Sequence, residues 1–137
     1  MALQRRYYRL TGGYINKYRL MAHLAKLRMR TARYAYWRVV GSQAVQDIVD
    51  RLDRSYQAFF KYKRGETVHK RGRPGFKKVK KYSSFTLKQA GWKYLSENRV
   101  RIGKYTYKFA KSREIEGQVK TVTIKRDRGG RLYVCFS

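Results

Sequence analysis

The stretch from Gly41 to Gly65 reads GSQAVQDIVDRLDRSYQAFFKYKRG, and its period decides how the chain folds. Val45, Ile48, Val49, Leu52, Tyr56, Phe59 and Phe60 recur at steps of three and four, which lays one apolar stripe along an α-helix. Ser42 is the expected N-cap, since its hydroxyl can accept from a backbone N–H of the first turn. Lys61, Lys63 and Arg64 gather at the far end, where the helix dipole favours cations, and Gly65 ends the helix. Asp47 precedes Arg51 and Asp50 precedes Arg54 by four residues, the spacing of ion pairs along an exposed helix face.

Upstream of this helix, Asn16 is an N-cap for a segment in which Leu20, Leu24 and Leu27 fall on one stripe. A shorter helical segment is expected from Thr31 to Val39, with Tyr34 and Trp37 on one side. Downstream the period changes. Residues 65–81 contain the breakers Gly72, Pro74 and Gly75 and read as a basic connector. Ser84 to Leu87, Val100 to Ile102 and Tyr105 to Phe109 read as short strands rich in β-branched and aromatic residues. Val119 to Lys125 alternates, Asp127-Arg128-Gly129-Gly130 forms a turn, and Leu132 to Phe136 alternates again, which predicts a β-hairpin. Helices first and strands second give an α+β fold: a helical lobe over 1–64, the connector, and an antiparallel β lobe over 82–137. There is no internal repeat.

The chain has 137 residues, with 35 Lys and Arg against 8 Asp and Glu, a formal net charge of +27. Hydrophobic residues make up 42% and aromatics 15%, which is too rich for a disordered basic tail. No run approaches the ~20 apolar residues of a membrane span, so no membrane partner is expected. The single cysteine, Cys135, excludes an internal disulfide framework, fits a reducing interior, and is expected to pack in the core of the last strand. Ten cations and no acid lie in residues 1–46, seven cations in 65–81 and thirteen in 82–137. The excess therefore runs the whole length of the chain. Its natural partner is a polyanion, above all nucleic acid, rather than water alone.

Enzymatic chemistry finds few candidates. Asp47, Asp50 and Asp53 are the only clustered acids, and their interleaved arginines favour a salt-bridged surface over a pair of metals. His23 and His69 are isolated, and one cysteine gives no zinc spacing. No catalytic residue, metal or cofactor is expected. Nucleic-acid contacts are better served. Tyrosines sit beside cations in Arg6-Tyr7-Tyr8-Arg9, Arg33-Tyr34, Lys61-Tyr62-Lys63 and Lys81-Tyr82, a pattern in which cations hold phosphates and rings stack on bases. Ser42, Gln43 and Gln46 form a polar edge at the start of the long helix, where phosphate or an adenine edge can be met.

Several stretches, in this order, resemble the front part of TnpB proteins, insertion-sequence-encoded relatives of type V CRISPR effectors. They are Tyr14-Ile15-Asn16-Lys17-Tyr18-Arg19-Leu20 leading to Leu24 and Leu27; Trp37 before Ser42-Gln43-Ala44-Val45-Gln46; and Leu52-Asp53-Arg54-Ser55-Tyr56-Gln57-Ala58-Phe59-Phe60. Further on come Arg73-Pro74-Gly75-Phe76-Lys77, Ile115-Glu116-Gly117 with Val119 to Ile124, and Gly130 to Phe136.

The resemblance implies a recognition lobe joined to a wedge-like partial β-barrel that together hold a guide RNA and target DNA. It implies that Ser42, Gln43 and Gln46 read a short DNA motif beside the target. Lys61, Lys63, Arg64, Arg71, Arg73, Phe76, Lys77, Lys78, Lys80, Lys81 and Tyr82 would grip nucleic acid, with base pairing supplying sequence and protein supplying shape. The family's RuvC-like nuclease part lies outside this sequence, so the chain is expected to be non-catalytic. A further chain would supply the nuclease and a first wedge strand, and the setting would be the cytoplasm, near the nucleoid. The alternatives are a ribosomal-protein-like RNA binder, which shares the composition and size but not the motif series, and a stand-alone DNA-binding subunit that uses the Ser42 helix in a major groove.

Overall fold

The computed structural model describes residues 1–38, 41–78, 81–96 and 98–137. Its elements run α1 (Ala2–Thr11), α2 (Lys17–Arg30), a 3₁₀ helix (Ala32–Arg38), α3 (Ser42–Lys63), then β1 (Ser84–Leu87), β2 (Trp92–Ser96), β3 (Arg99–Ile102), β4 (Tyr105–Lys108), β5 (Val122–Arg126) and β6 (Leu132–Phe136). The fold is α+β, with helices first and two antiparallel sheets after them. Two compact units divide the chain. One is Met1–Arg38 with Ile48–Val79, and the other is Val39–Asp47 with Lys80–Ser137.

In the helical unit, α1 has no acid and only Leu3, Tyr7 and Leu10 as a stripe, so the hydrophobic pattern does not announce it. Gly12 stops it by turning left-handed (φ 68°) while donating its N–H to the Tyr8 carbonyl at 2.8 Å. The turn that follows is tied to α1 by the buried Gln4 amide. Its Nε2 donates to the Ile15 carbonyl and its Oε1 accepts from the Ile15 N–H at 3.0 Å. Asn16 caps α2 as expected, accepting from the Arg19 N–H at 3.0 Å. The segment expected from Thr31 to Val39 is the 3₁₀ helix, in which the Tyr34 ring lies tilted against Trp37 at 4.7 Å; Val39 lies outside the described residues.

The long helix starts one position earlier than expected. The Gly41 carbonyl accepts from the Val45 N–H, so Gly41 holds the cap position and Ser42 is the first helical residue. At its far end the N–H of Gly65 returns to Tyr62 and that of Glu66 to Lys61, which closes the last turn. Val49 and Tyr56 of the apolar stripe are buried with Leu20, whereas Ile48 remains 42% exposed.

The β unit holds two three-stranded sheets, ordered β1-β5-β6 and β2-β3-β4. The expected hairpin is β5–β6, pairing Val122 with Phe136 and Ile124 with Val134. Asp127 fixes its turn: Oδ1 accepts from the Arg131 N–H at 2.9 Å and Oδ2 from the Tyr133 hydroxyl at 3.1 Å. The strand expected to begin at Val119 begins at Val122, and just before it Thr121 and Ser137 exchange backbone hydrogen bonds of 2.8 and 3.0 Å in the register of the hairpin. β2 is an additional strand, and Gly103 (φ 60°) lets β3 and β4 join through a two-residue turn. Leu87, Val100 and Val122 form the core, extended by the rings of Tyr94, Phe109 and Phe136, with Phe136 5.6 Å from Tyr94 and 5.3 Å from Phe109.

Cys135 corrects an expectation. Its neighbours Val134 and Phe136 take the inward positions of β6, so strand parity turns Cys135 to the opposite face, across from Thr123, and it is exposed.

Candidate nucleic-acid interface

The three aspartates of α3 do not share one exposed face: Asp47 is buried, and Asp50 and Asp53 are half-buried. Three-residue steps fall short of the helix's about 3.6-residue turn, so the trio walks round the helix and meets three different neighbours. Asp47 is buried at 3% exposure, and its Oδ2 accepts from the Thr86 N–H of β1 at 3.1 Å. β1 is the edge strand of its sheet, and Thr86 turns its N–H away from β5 while its hydroxyl meets that of Thr123 at 3.0 Å. The carboxylate thus satisfies an N–H that the ladder leaves over. Asp50 lies 3.5 Å from Lys17 of α2, and Asp53 accepts from the Tyr14 hydroxyl at 2.7 Å. Burial, then the bond to Asp53, pushes the Tyr14 phenol well above the usual tyrosine range.

The residues expected to touch nucleic acid divide between the units. Ser42, Gln43, Gln46, Lys81 and Tyr82 belong to the β unit, with Ser42 exposed and both glutamines half-buried beside buried Ala44 and Asp47. Lys61, Lys63, Arg64, Arg71, Arg73, Phe76, Lys77 and Lys78 belong to the helical unit and are all exposed. Lys80 lies outside the described residues. Arg64 is paired with Glu66, whose carboxylate the guanidinium holds below the ordinary range. Within the helical unit the connector lies along α1: the Arg5 guanidinium stands 4.8 Å from the Phe76 ring centre, and Arg73 stands 5.8 Å from that of Tyr8.

A cationic face that motif reading passes over lies on the β2-β3-β4 sheet. Register sets Lys93 opposite Arg101 and Arg99 opposite Lys108. Alternation puts these four on one face with Thr106, and Trp92, Tyr94, Val100 and Ile102 on the other. All four cations are exposed, and none enters an ion pair among the described residues. Like charges directly opposite on neighbouring strands are destabilising, by up to about 1 kcal/mol per pair. Two such pairs side by side favour an anion laid across the sheet. The signal was present in the sequence as parity, since Arg99 and Arg101 flank buried Val100.

The helical unit carries an aromatic cluster of different character. Tyr14, Tyr56 and Phe60 meet at ring-centre distances of 5.3 to 5.9 Å, with Phe59 5.7 Å from Phe60. Tyr56 is 5% exposed, yet its hydroxyl has no hydrogen-bond partner among the described residues. A buried hydroxyl left unmatched costs about 1–3 kcal/mol.

No protein-family model matches the chain, and no curated protein matches it.

Proposed function

We propose that this chain is a nucleic-acid-binding, non-catalytic segment of a TnpB-like RNA-guided DNA-binding protein, holding guide RNA and target DNA. The observation that carries the nucleic-acid reading is the sheet face on which Lys93, Arg99, Arg101 and Lys108 stand as two opposed like-charge pairs. A stable chain gains nothing from that arrangement alone, whereas a phosphate backbone relieves it and releases counterions. The TnpB form of the reading rests on the motif series from Tyr14 to Phe136. The three aspartates of α3 act as ties between elements, to Thr86, Lys17 and Tyr14, and the reading gives them no catalytic step. Nuclease action belongs to a further chain or domain, and the working site is the cytoplasm, at the nucleoid.

Cross-linking in cells followed by sequencing of the attached RNA tests this. RNA from transposon ends or of CRISPR type is expected. Ribosomal RNA alone would replace the TnpB reading with a ribosomal one, and a low-salt preparation free of nucleic acid that binds no structured RNA would refute both. In a binding selection from a pool of randomised DNA duplexes, Gln43→Ala with Gln46→Ala should change which DNA motif is preferred while leaving overall affinity nearly intact.

A further inference from the structure

We propose that the open edge of β4 binds single-stranded RNA, with two of its bases stacked on the rings of Tyr105 and Tyr107. This deepens the nucleic-acid reading above and rests on it.

Several other exposed rings of the chain are engaged: Tyr8, Tyr18 and Phe76 each lie against a cation, Tyr36 meets Trp37, and Tyr133 donates to Asp127. Tyr105 and Tyr107 are 68% and 50% exposed and have no ring, cation or hydrogen-bond partner among the described residues. Register sets Tyr105 opposite Ile102 and Tyr107 opposite Val100, so both rings leave the same face of the sheet. That face buries Val100, but β4 is an edge strand and its two tyrosines stay in water. Adjacent large rings left exposed mark a contact surface. Two residues along a strand span about 7 Å, which is about twice the 3.4 Å per nucleotide of a duplex strand. The pair therefore suits bases that have left the stack, and only a single strand offers their faces.

Charge selects the occupant. Residues 98–113 carry six Lys and Arg and no acid. Lys104 in the turn and Lys108 at the other end of β4 bracket the two rings, and both are exposed. The backbone adds donors. The Phe109 N–H returns to the Asn98 carbonyl, so by alternation Tyr105 and Tyr107 spend their backbone groups on β3, while the N–H groups of Thr106 and Lys108 face outward. Two ammonium groups and two outward N–H groups can hold phosphates beside rings that hold bases. An added peptide strand would use the same edge, but edge lysines such as Lys104 and Lys108 oppose strand addition. The tyrosine hydroxyls can meet the ribose 2′-hydroxyl, which RNA has and DNA lacks.

The test compares two labelled single-stranded RNAs of equal length and phosphate count, one carrying bases and one abasic in its central positions, bound to the full chain. The base-bearing strand should bind about 30-fold more tightly, the low end of the effect of two stacked bases. Tyr105→Leu with Tyr107→Leu should abolish that preference and leave the salt slope native, because neither side chain is charged. Each single substitution should cost about fivefold, with circular dichroism and the urea midpoint confirming the fold. Tyr105→Phe with Tyr107→Phe keeps both rings and should retain the preference for bases, losing only that for RNA over DNA of the same sequence. Equal, salt-sensitive binding of the two RNAs would overturn the stacking edge and leave the nucleic-acid reading standing. A base preference that survives the double Leu substitution would also overturn it, and equal binding of RNA and DNA by the native chain would overturn the assignment to RNA. Self-association in sedimentation that the double Leu substitution abolishes would give the edge to a second copy of the chain instead. Binding of neither strand would overturn both readings.

Discussion

Replacing Lys93, Arg99, Arg101 and Lys108 together by Gln should flatten the salt dependence of nucleic-acid binding by a calculable amount. The four are exposed, share one face of the sheet and are free of acidic partners among the described residues. Each phosphate neutralised contributes about 0.9 to the slope of log affinity against log salt on a duplex, and about 0.7 on a single strand. Four lost contacts therefore lower the slope by about 3.6 on a duplex or about 2.8 on a single strand. Over a fourfold rise in salt, the native chain should lose about 150-fold more affinity than the variant on duplex, or about 50-fold more on single strand.

Fluorescence anisotropy across a salt series reads this directly. The variant should also melt no earlier than the native chain, because two opposed like-charge pairs have been removed. A parallel variant with Lys77, Lys78, Lys80 and Lys81 replaced by Gln gives the comparison for the connector. If that variant flattens the slope while the sheet variant keeps the native one, the sheet face does not meet phosphate and the reasoning from register fails.

Two further outcomes concern ties inside each unit, Tyr14 to Asp53 in the helical unit and Asp47 to Thr86 in the β unit. Tyr14 has a phenol pKa raised in the folded state, so its contribution is intact below the ordinary tyrosine value of about 10 and is lost as pH rises beyond it. Tyr14→Phe should therefore remove the last phenol to ionise in an absorbance titration at alkaline pH and soften the fall in stability there; a difference spectrum titrating at the ordinary value would contradict this. Asp47→Ala should cost about 2 kcal/mol in urea unfolding, since it strips a charged acceptor from the Thr86 N–H, and Asp47→Asn should recover part of the loss. A neutral Asp47→Ala would mean that Thr86 finds another partner.

The features written in short-range pattern were legible. The three- and four-residue steps from Val45 to Phe60 mark α3, Asn16 marks the start of α2, and alternation around Asp127 to Gly130 marks the β5–β6 hairpin. Where charge dilutes the pattern, the element hides: α1 carries three arginines and two exposed or half-buried tyrosines in ten residues. β2 alternates at Trp92, Lys93 and Tyr94, but the pattern is cut short by an irregularity in its pairing with β3 between Tyr94 and Ser96.

What chain order cannot express is which distant groups meet. β1 pairs with β5 across the whole of the second sheet, and Asp47 closes that sheet's neighbour by reaching Thr86, 39 residues away. The candidate interface divides along the same line. Cations clustered in sequence, such as Lys77 and Lys78, announce themselves, while Lys93, Arg99, Arg101 and Lys108 become a set only once register brings them together.

The outward turn of Cys135 has a practical consequence. As the chain's one thiol, standing exposed on β6, it offers maleimide reagents a unique attachment point. A dye fixed there reports from the β unit alone, on the sheet that does not bear the cationic face.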